Sequence, residues 1–221
     1  ICTFLLLLSS APFVCAQSDL ILGDYDGDYA NSDTIAAGVS ATLAGGRDTV
    51  TDFGSTDASL GTILIAGVPA EGGARRFRLD SGENVFTVTV ANDSRQSIEL
   101  TSLEFDYSRA FQDAPRVITV FYDGGDLGAA TQLAAFTDDT PGDAASKISD
   151  YDDYSVDLAA GLGDTTLAQG EDATFSIVFS DSANSAISGA LDNIGVFGTL
   201  GNLIATATVQ ADNPKWEISP L

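Results

Sequence analysis

Two consecutive runs of residues decide the fold of this chain: NVFTVTVAN at 84–92 and SIELTSLEFDY at 97–107. In the first run, Phe86, Val88 and Val90 alternate with polar or small residues. Successive side chains of a β-strand point to opposite faces of a sheet. The run therefore predicts a strand with one apolar face and one polar face.

The alternation changes phase inside the second run. Ile98 and Leu100 occupy even-numbered positions, whereas Leu103 and Phe105 occupy odd-numbered positions, so the two pairs would point to opposite faces of a regular strand. One extra residue in a strand shifts the phase of every side chain beyond it. The pattern predicts a β-bulge, or a bend between two sheets, near residues 101–102.

Similar runs recur along the chain, separated by Gly, Asp, Asn and Pro, and no segment after the first sixteen residues repeats apolar side chains at helical spacing. This spacing is typical of an all-β sandwich or barrel. The predicted strands lie at 62–66, 84–92, 97–107, 116–123, 131–136, 153–158, 173–180, 190–198 and 202–209.

The start of the sequence has the layout of a secretory signal. Residues 1–16 carry no charge and include the apolar run FLLLLSSAPFV, followed by Val14-Cys15-Ala16. An apolar stretch this short suits a cleaved signal better than a membrane span. We predict a signal peptide at 1–16 whose own start is truncated; acylation of Cys15 is disfavoured by the bulky Val14.

Cleavage after Ala16 would remove both cysteines, Cys2 and Cys15, and leave a mature protein without thiols. A chain of about 200 residues buries roughly 70% of its extended surface, so one core can form without disulfides. We predict a single domain at 17–198. Residues 199–221 hold a further strand and a tail, which is either short by nature or the start of another region.

The charge and the residue types missing from the chain exclude several functions. The 32 carboxylates against 9 basic residues would repel nucleic acids and anionic membranes. Without histidine or a mature cysteine, Ser-His-Asp and Cys-His catalysis and conventional zinc sites are excluded. Carboxylate chemistry, such as a glycosidase pair, is the remaining enzymatic possibility.

The densest acidic motif, GDYDGDYANSD, places Asp24, Asp26 and Asp28 at alternate positions. In an extended strand these carboxylates share one face, where a hard divalent cation would relieve their repulsion. The motif is not an EF-hand, because Tyr29 and Ile35 stand where Gly and Glu are required. We predict calcium ligands here, with a solvated acidic turn as the alternative.

Asp192 lies between apolar residues in ALDNIGVFG. A buried carboxylate must be paired, hydrogen-bonded or metal-bound. The sequence predicts either a metal ligand or a cap for the backbone of a neighbouring loop.

A second candidate site consists of aromatic residues at predicted strand ends and loops. Tyr107, Tyr122, Tyr151 and Tyr154 lie near acids and Arg109. Exposed aromatic faces framed by polar groups bind sugars, whereas half-buried rings cap the edges of a core. We predict a sugar platform, with core packing as the alternative.

The order of blocks VFTVTVAN, LTSLEFDYSR, ITVFYDGG, DYSVDLAAGL, GEDATFSIVFS and ALDNIGVFG resembles exported bacterial jelly-roll proteins of the PEP-CTERM-sorted type, over about residues 84–198. The fold of those proteins is similar to that of carbohydrate-binding modules. The resemblance implies a jelly-roll β-sandwich of two antiparallel sheets. It also implies that an acid such as Asp192 helps to hold a structural calcium between the first and last strands. The chain shows no Pro-Glu-Pro sorting motif.

Together these observations predict a non-catalytic binding or surface module, secreted or on the cell surface of a bacterium, that binds a polysaccharide or cell-surface glycan and is stabilised by calcium. A structural or adhesive surface component without a small ligand is the alternative, and a carboxylate-based glycan-active enzyme is the third possibility. We expect no nucleic-acid partner and no membrane insertion after signal cleavage.

Overall fold

The computed structural model describes residues 19–24, 34–46, 49–50, 74–77, 79, 84–109, 113–139, 152–185 and 189–201. The predicted signal at 1–16 and the predicted strands at 62–66 and 202–209 lie outside these residues. The only helix among them, α1 (Leu158–Gly161), has four residues. None of the described helical structure is long and apolar enough to cross a membrane.

The remaining elements are strands, which confirms the predicted all-β class. They are β1 (Asp19–Asp24), β2 (Thr34–Ile35), β3 (Val39–Gly45), β4 (Thr49–Val50), β5 (Ala74–Phe77), β6 (Val85–Asn92), β7 (Ile98–Ser108), β8 (Val117–Gly125), β9 (Thr131–Thr137), β10 (Asp152–Asp157), β11 (Thr166–Leu167), β12 (Asp172–Ser180) and β13 (Gly189–Leu200).

The strands form two antiparallel sheets. Sheet A has the order β10-β7-β13-β1-β2, with β11 on β7, β5 on β13 and β4 on β5. Sheet B has the order β3-β6-β12-β8-β9. Four nested antiparallel pairs run through both sheets: β1 with β13, β6 with β12, β7 with β10, and β8 with β9. This nesting, a long hairpin wrapped around a core, is a jelly roll.

The inner faces of the two sheets meet in one hydrophobic core. Phe77 of β5 and Tyr107 of β7 approach Phe179 of β12 from sheet A, with ring centroids 4.5 and 4.7 Å from that of Phe179. Gly189 leaves room for the Tyr107 hydroxyl, which a Cβ at this position would strike. The two sheets are therefore held together by aromatic packing.

The phase change in β7 is a β-bulge, as predicted. Ser102 pairs with Phe197 and Leu100 with Gly198, so Thr101 is the extra residue. Leu100 and Leu103 both point into the core, on either side of this bulge. The bulge lets one long strand bury two apolar runs that differ in phase.

Candidate functional site

Two carboxylates are buried side by side in sheet A. Asp106 of β7 pairs directly with Asp192 of β13, and both side chains are 0% exposed. Residues directly opposite in an antiparallel pair share a face, with Cβ atoms about 5 Å apart. Adjacent like charges repel each other, so this pair needs a compensating proton, cation or hydrogen-bond donor.

Asn193 supplies one such donor. Its Nδ2 donates a hydrogen bond of 2.7 Å to Oδ2 of Asp106. The residue takes a left-handed conformation, with φ of 47°, in a bulge where Asn193 and Ile194 together face Phe105. The local strand geometry therefore places an amide beside the acid pair.

The first strand ends next to this pair. Asp24, the last residue of β1, is the register partner of Ile194, two residues from Asp192. The topology thus brings the strands of two predicted metal ligands together, whereas Asp26 and Asp28 lie outside the described residues. Within the described ranges, no three His, Cys, Asp or Glu side chains form a group suited to a metal ion.

The predicted sugar platform is wrong for Tyr107 and Tyr122. Both rings are 0% exposed, because both residues have the inward parity of their strands. The Tyr107 hydroxyl donates to the Pro115 carbonyl at 2.8 Å, and the Tyr122 hydroxyl accepts from the Leu127 N–H at 2.9 Å. Neither ring has a face that a sugar can reach.

Arg109 also has a structural role in place of the predicted ligand contact. Its side chain is 6% exposed, and Nη1 donates to the Asp138 carbonyl at 2.7 Å. Burial of the guanidinium beside the end of β9 ties β7 to the opposite sheet, so it is not presented to a ligand.

Tyr154 is half-buried between the edge strands of the two sheets. Its ring centroid lies 5.4 Å from that of Phe105 and 5.0 Å from that of Phe136. Burial raises the pKa of the Tyr154 hydroxyl, with further increases from Asp138 and Asp152 and a smaller opposing effect of Arg109. This packing fits the core-edge alternative; Tyr151 lies outside the described residues.

A further surface, which includes none of the predicted site residues, lies on the outside of sheet B. We call it the hydroxyl face. It consists of the outward-pointing threonines of β3, β6, β8 and β12, together with Phe121 and the buried Ser176; Val85 and Val178 lie on the same side of the sheet, beside Thr119. Its members are Thr42, Thr87, Thr89, Thr119, Phe121, Thr174 and Ser176.

Phe121 stands near the middle of the hydroxyl face. It is half-buried, with Ser176 opposite on β12 and Gln132 opposite on β9. The Ser176 hydroxyl donates to Oδ1 of Asp123 at 3.0 Å. One aromatic ring is thus bordered by a hydroxyl, an amide and a carboxylate.

Threonines continue this surface away from Phe121. Thr42, Thr89 and Thr174 form one row across β3, β6 and β12. The Oγ1 atoms of Thr89 and Thr174 lie 3.0 Å apart and share a hydrogen bond. Thr89 and Thr174 are therefore held as a hydrogen-bonded pair within this row.

Sheet B is almost free of charge. The five strands contain two ionisable carboxylates, Asp123 and Asp172, and no basic residue. Both acids lie at the same end, where the Asp126 and Asp172 backbones are joined by a hydrogen bond. The net charge of −23 is therefore carried elsewhere in the chain.

The parity of the β8 sequence could have identified Phe121. In VITVFYD the residues Ile118, Val120 and Tyr122 are buried, so Phe121 has outward parity with Thr119. Asp106 likewise alternates with the buried Phe105 and Tyr107, so the sequence places it on the outer side of β7. Its pairing with Asp192 depends on the register between β7 and β13, which the sequence does not reveal.

No protein-family model matches the chain, and no curated protein matches it. Solved structures with similar architecture include a family 11 carbohydrate-binding module of a Clostridium thermocellum cellulase (10% identity, TM-score 0.36, 85% of this chain and 98% of that chain). A family 29 carbohydrate-binding module from Piromyces equi has 11% identity and a TM-score of 0.35, covering 83% of this chain and 91% of its own.

The C-terminal domain of a Bacteroides fragilis chitobiase has 14% identity and a TM-score of 0.37, over 75% of this chain and 97% of its own. The structural neighbours thus include carbohydrate-binding modules. At these identities and TM-scores they do not assign a function to this chain.

Proposed function

We propose that this protein is an exported, non-catalytic binding module that holds glycan chains on the hydroxyl face. The observation that carries the proposal is Phe121, a half-buried ring bordered by a hydroxyl, an amide and a carboxylate on a sheet whose strands contain no basic residue. Aromatic rings contribute apolar contact area in such sites, and polar groups fix orientation. Export is proposed from the signal-like residues 1–16.

A hydroxyl-rich surface suits a sugar better than a protein partner. Serine and threonine are under-represented among the residues that dominate the binding energy of protein interfaces, whereas tryptophan, tyrosine and arginine are enriched there. The hydroxyl face has one aromatic residue and six hydroxyl residues. Its chemistry therefore matches the alternating C–H and O–H surfaces of a pyranose.

Retention on insoluble polysaccharides tests this function. We expect the wild-type protein to be retained on at least one polymer and Phe121→Ala to lose retention, because the variant removes the stacking ring. Phe197→Ala is the matched control, since Phe197 is a partly exposed phenylalanine on the outside of sheet A.

Loss of retention in Tyr154→Ala but not in Phe121→Ala would place the site at the edge between the sheets and contradict the hydroxyl face. Absence of retention on every polymer would favour the structural or adhesive role instead.

We also propose that calcium stabilises the fold near the end of β1. Asp106 and Asp192 fit such an ion in donor type, because calcium prefers carboxylate and carbonyl oxygens. Asp192 and Asp106 would hold the ion, with Asp24, Asp26 and Asp28 as the predicted further ligands. When bound, the ion would neutralise the repulsion between the carboxylates.

A chelator should then lower the melting temperature by several degrees, since a ligand bound only by the folded state stabilises it. Asp192→Asn should melt at the same temperature with and without chelator. Asp164→Asn, at an exposed acid in the loop before β11, should respond like the wild type. An unchanged wild-type melt in chelator would contradict the calcium proposal and leave the glycan proposal intact.

A further inference from the structure

We infer that the hydroxyl face selects uncharged polysaccharides and rejects acidic ones; this inference rests on the proposed function. The distribution of charge around sheet B carries it. Proteins usually bind a uronate or sulfate group through a basic partner, Arg or Lys. The strands of sheet B provide none.

The bases that flank sheet B in the described ranges do not alter this picture. Arg116 precedes β8 and is paired with Asp181 at 2.6 Å and with Asp139 at 3.8 Å. Arg95 lies in the turn after β6, off the strands. Arg116 is therefore already paired with carboxylates, and Arg109, beside the end of β9, is 6% exposed.

The opposite end of the face is acidic. Asp123 reaches the hydroxyl of Ser176, a member of the face, and Asp126 accepts a hydrogen bond of 2.9 Å from the Asp172 N–H. A polyanionic chain laid across β12 and β8 would place its charges beside these carboxylates. Like charges brought together at an interface weaken binding.

The net charge of the whole molecule also disfavours the binding of acidic polysaccharides. A net charge of −23 repels a polyanion before contact, and salt weakens that effect. Repulsion at the face itself acts at short range and is screened less. We therefore expect discrimination to persist at high ionic strength, which separates local selection from general repulsion.

Affinity electrophoresis in gels that contain a soluble polysaccharide tests the inference. The probes are an uncharged glucan, an uncharged mannan and, as acidic chains, alginate and polygalacturonate. We expect at least one uncharged polymer to retard the protein and both acidic ones to bind about tenfold more weakly or not at all, at low salt and at about 1 M salt. Phe121→Ala should lose the retardation.

The variant Asp123→Asn/Asp172→Asn removes the acidic end of the face, and Asp164→Asn is its matched control. We expect polygalacturonate to retard the double variant measurably and not to retard Asp164→Asn. The gain should also appear in the presence of chelator, because it does not depend on a metal bridge.

Retardation of the wild type by an acidic polymer as strong as that by an uncharged one would overturn the inference while supporting glycan binding. Acidic binding that disappears in chelator would overturn it in favour of calcium bridges. Retardation by none of the polymers would contradict the proposed function itself.

Discussion

At the scale of single residues, Asn92 shows how one buried amide can hold several loops. It is 0% exposed, and its Nδ2 donates to the carbonyls of Gln96 and Leu167 at 2.7 and 2.9 Å. Its Oδ1 accepts from the N–H and the hydroxyl of Ser94. The side chain thus fixes the turn between β6 and β7 and ties it to β11.

We predict that Asn92→Ala lowers the free energy of unfolding by about 3 kcal/mol, because it leaves buried carbonyls without their donor. Urea unfolding measures this change. Asn84→Ala is the matched control: its amide makes one described hydrogen bond, to the Phe179 carbonyl, and we expect a loss of about 1 kcal/mol. Equal losses in the two variants would contradict this role for Asn92.

Tyr154 provides a prediction about alkaline pH. Its pKa is raised chiefly by burial, with Asp138 and Asp152 adding to the shift. An unfolded tyrosine ionises near pH 10. The folded state therefore holds the proton more tightly, and the stabilisation is complete below about pH 10 and is lost as the pH rises beyond it.

The check is a tyrosinate absorbance titration of the wild type and Tyr154→Phe. The difference between the two curves should show a tyrosine that ionises well above pH 10. Thermal stability should fall less steeply above that pH in the variant. A difference curve centred near pH 10 would contradict the burial of this hydroxyl.

Neighbouring aromatic residues in β8 show the limit of residue-type arguments. The position of Tyr122 at a predicted strand end near acids predicts a sugar contact, yet Tyr122 is buried, while Phe121 is partly exposed. The alternation of apolar residues in VITVFYD already predicts that Tyr122 points into the core and Phe121 points outward. Parity within a strand was more informative here than the identity of the side chain.

At the scale of elements, the bulge at Thr101 keeps both halves of β7 in the core. Ile98 and Leu100 lie before it, and Leu103, Phe105 and Tyr107 lie after it. A register shift of one residue moves every later side chain to the other face. The number of residues in β7 matters more than the identity of residue 101.

Two variants at this position distinguish the effect of the number of residues in β7 from the effect of the residue type at position 101. Thr101→Ala keeps the register, and we expect it to change the free energy of unfolding by less than about 1 kcal/mol. Deletion of Thr101 should abolish cooperative unfolding, because it turns either the first or the second apolar run of β7 outward. Near-ultraviolet circular dichroism and urea unfolding distinguish the two; a cooperative transition in the deletion variant would refute the account.

Strands with strong alternation were predictable, and short or polar ones were not. The predictions at 84–92, 97–107 and 173–180 match β6, β7 and β12 closely. Strands β3 and β5 were not predicted, since VSATLAG has small side chains and ARRF has two bases. Both are fixed by pairing, β3 with β6 and β5 with β13, so tertiary contacts determine them.

At the scale of the whole molecule, charge is distributed unevenly between the sheets. Sheet A includes acids on β1, β7, β10 and β13, whereas the acids of sheet B are confined to one end. Composition predicted the total charge but not this separation, because the separation follows from the order in which strands pair. The candidate glycan surface likewise exists because the pairing order of the strands brings β3, β6, β12 and β8 side by side.

The total charge itself should limit stability. A protein with a net charge of −23 repels itself in the compact state, and the unfolded chain relieves part of that repulsion. The screening length falls from about 10 Å at 0.1 M salt to about 3 Å at 1 M. The melting temperature should therefore rise by several degrees as sodium chloride increases over this range.

Chelator must be present throughout this experiment, so that the response to salt is separate from the response to calcium. An uncharged solute at equal osmolality is the control, because it changes solvation without screening charge. We expect the salt response to shrink as the pH approaches the sequence pI of about 4.1, where the repulsion vanishes. A melting temperature that does not change with salt at neutral pH would contradict self-repulsion as a limit on the stability of the folded protein, because repulsion between exposed charges must weaken as the screening length falls.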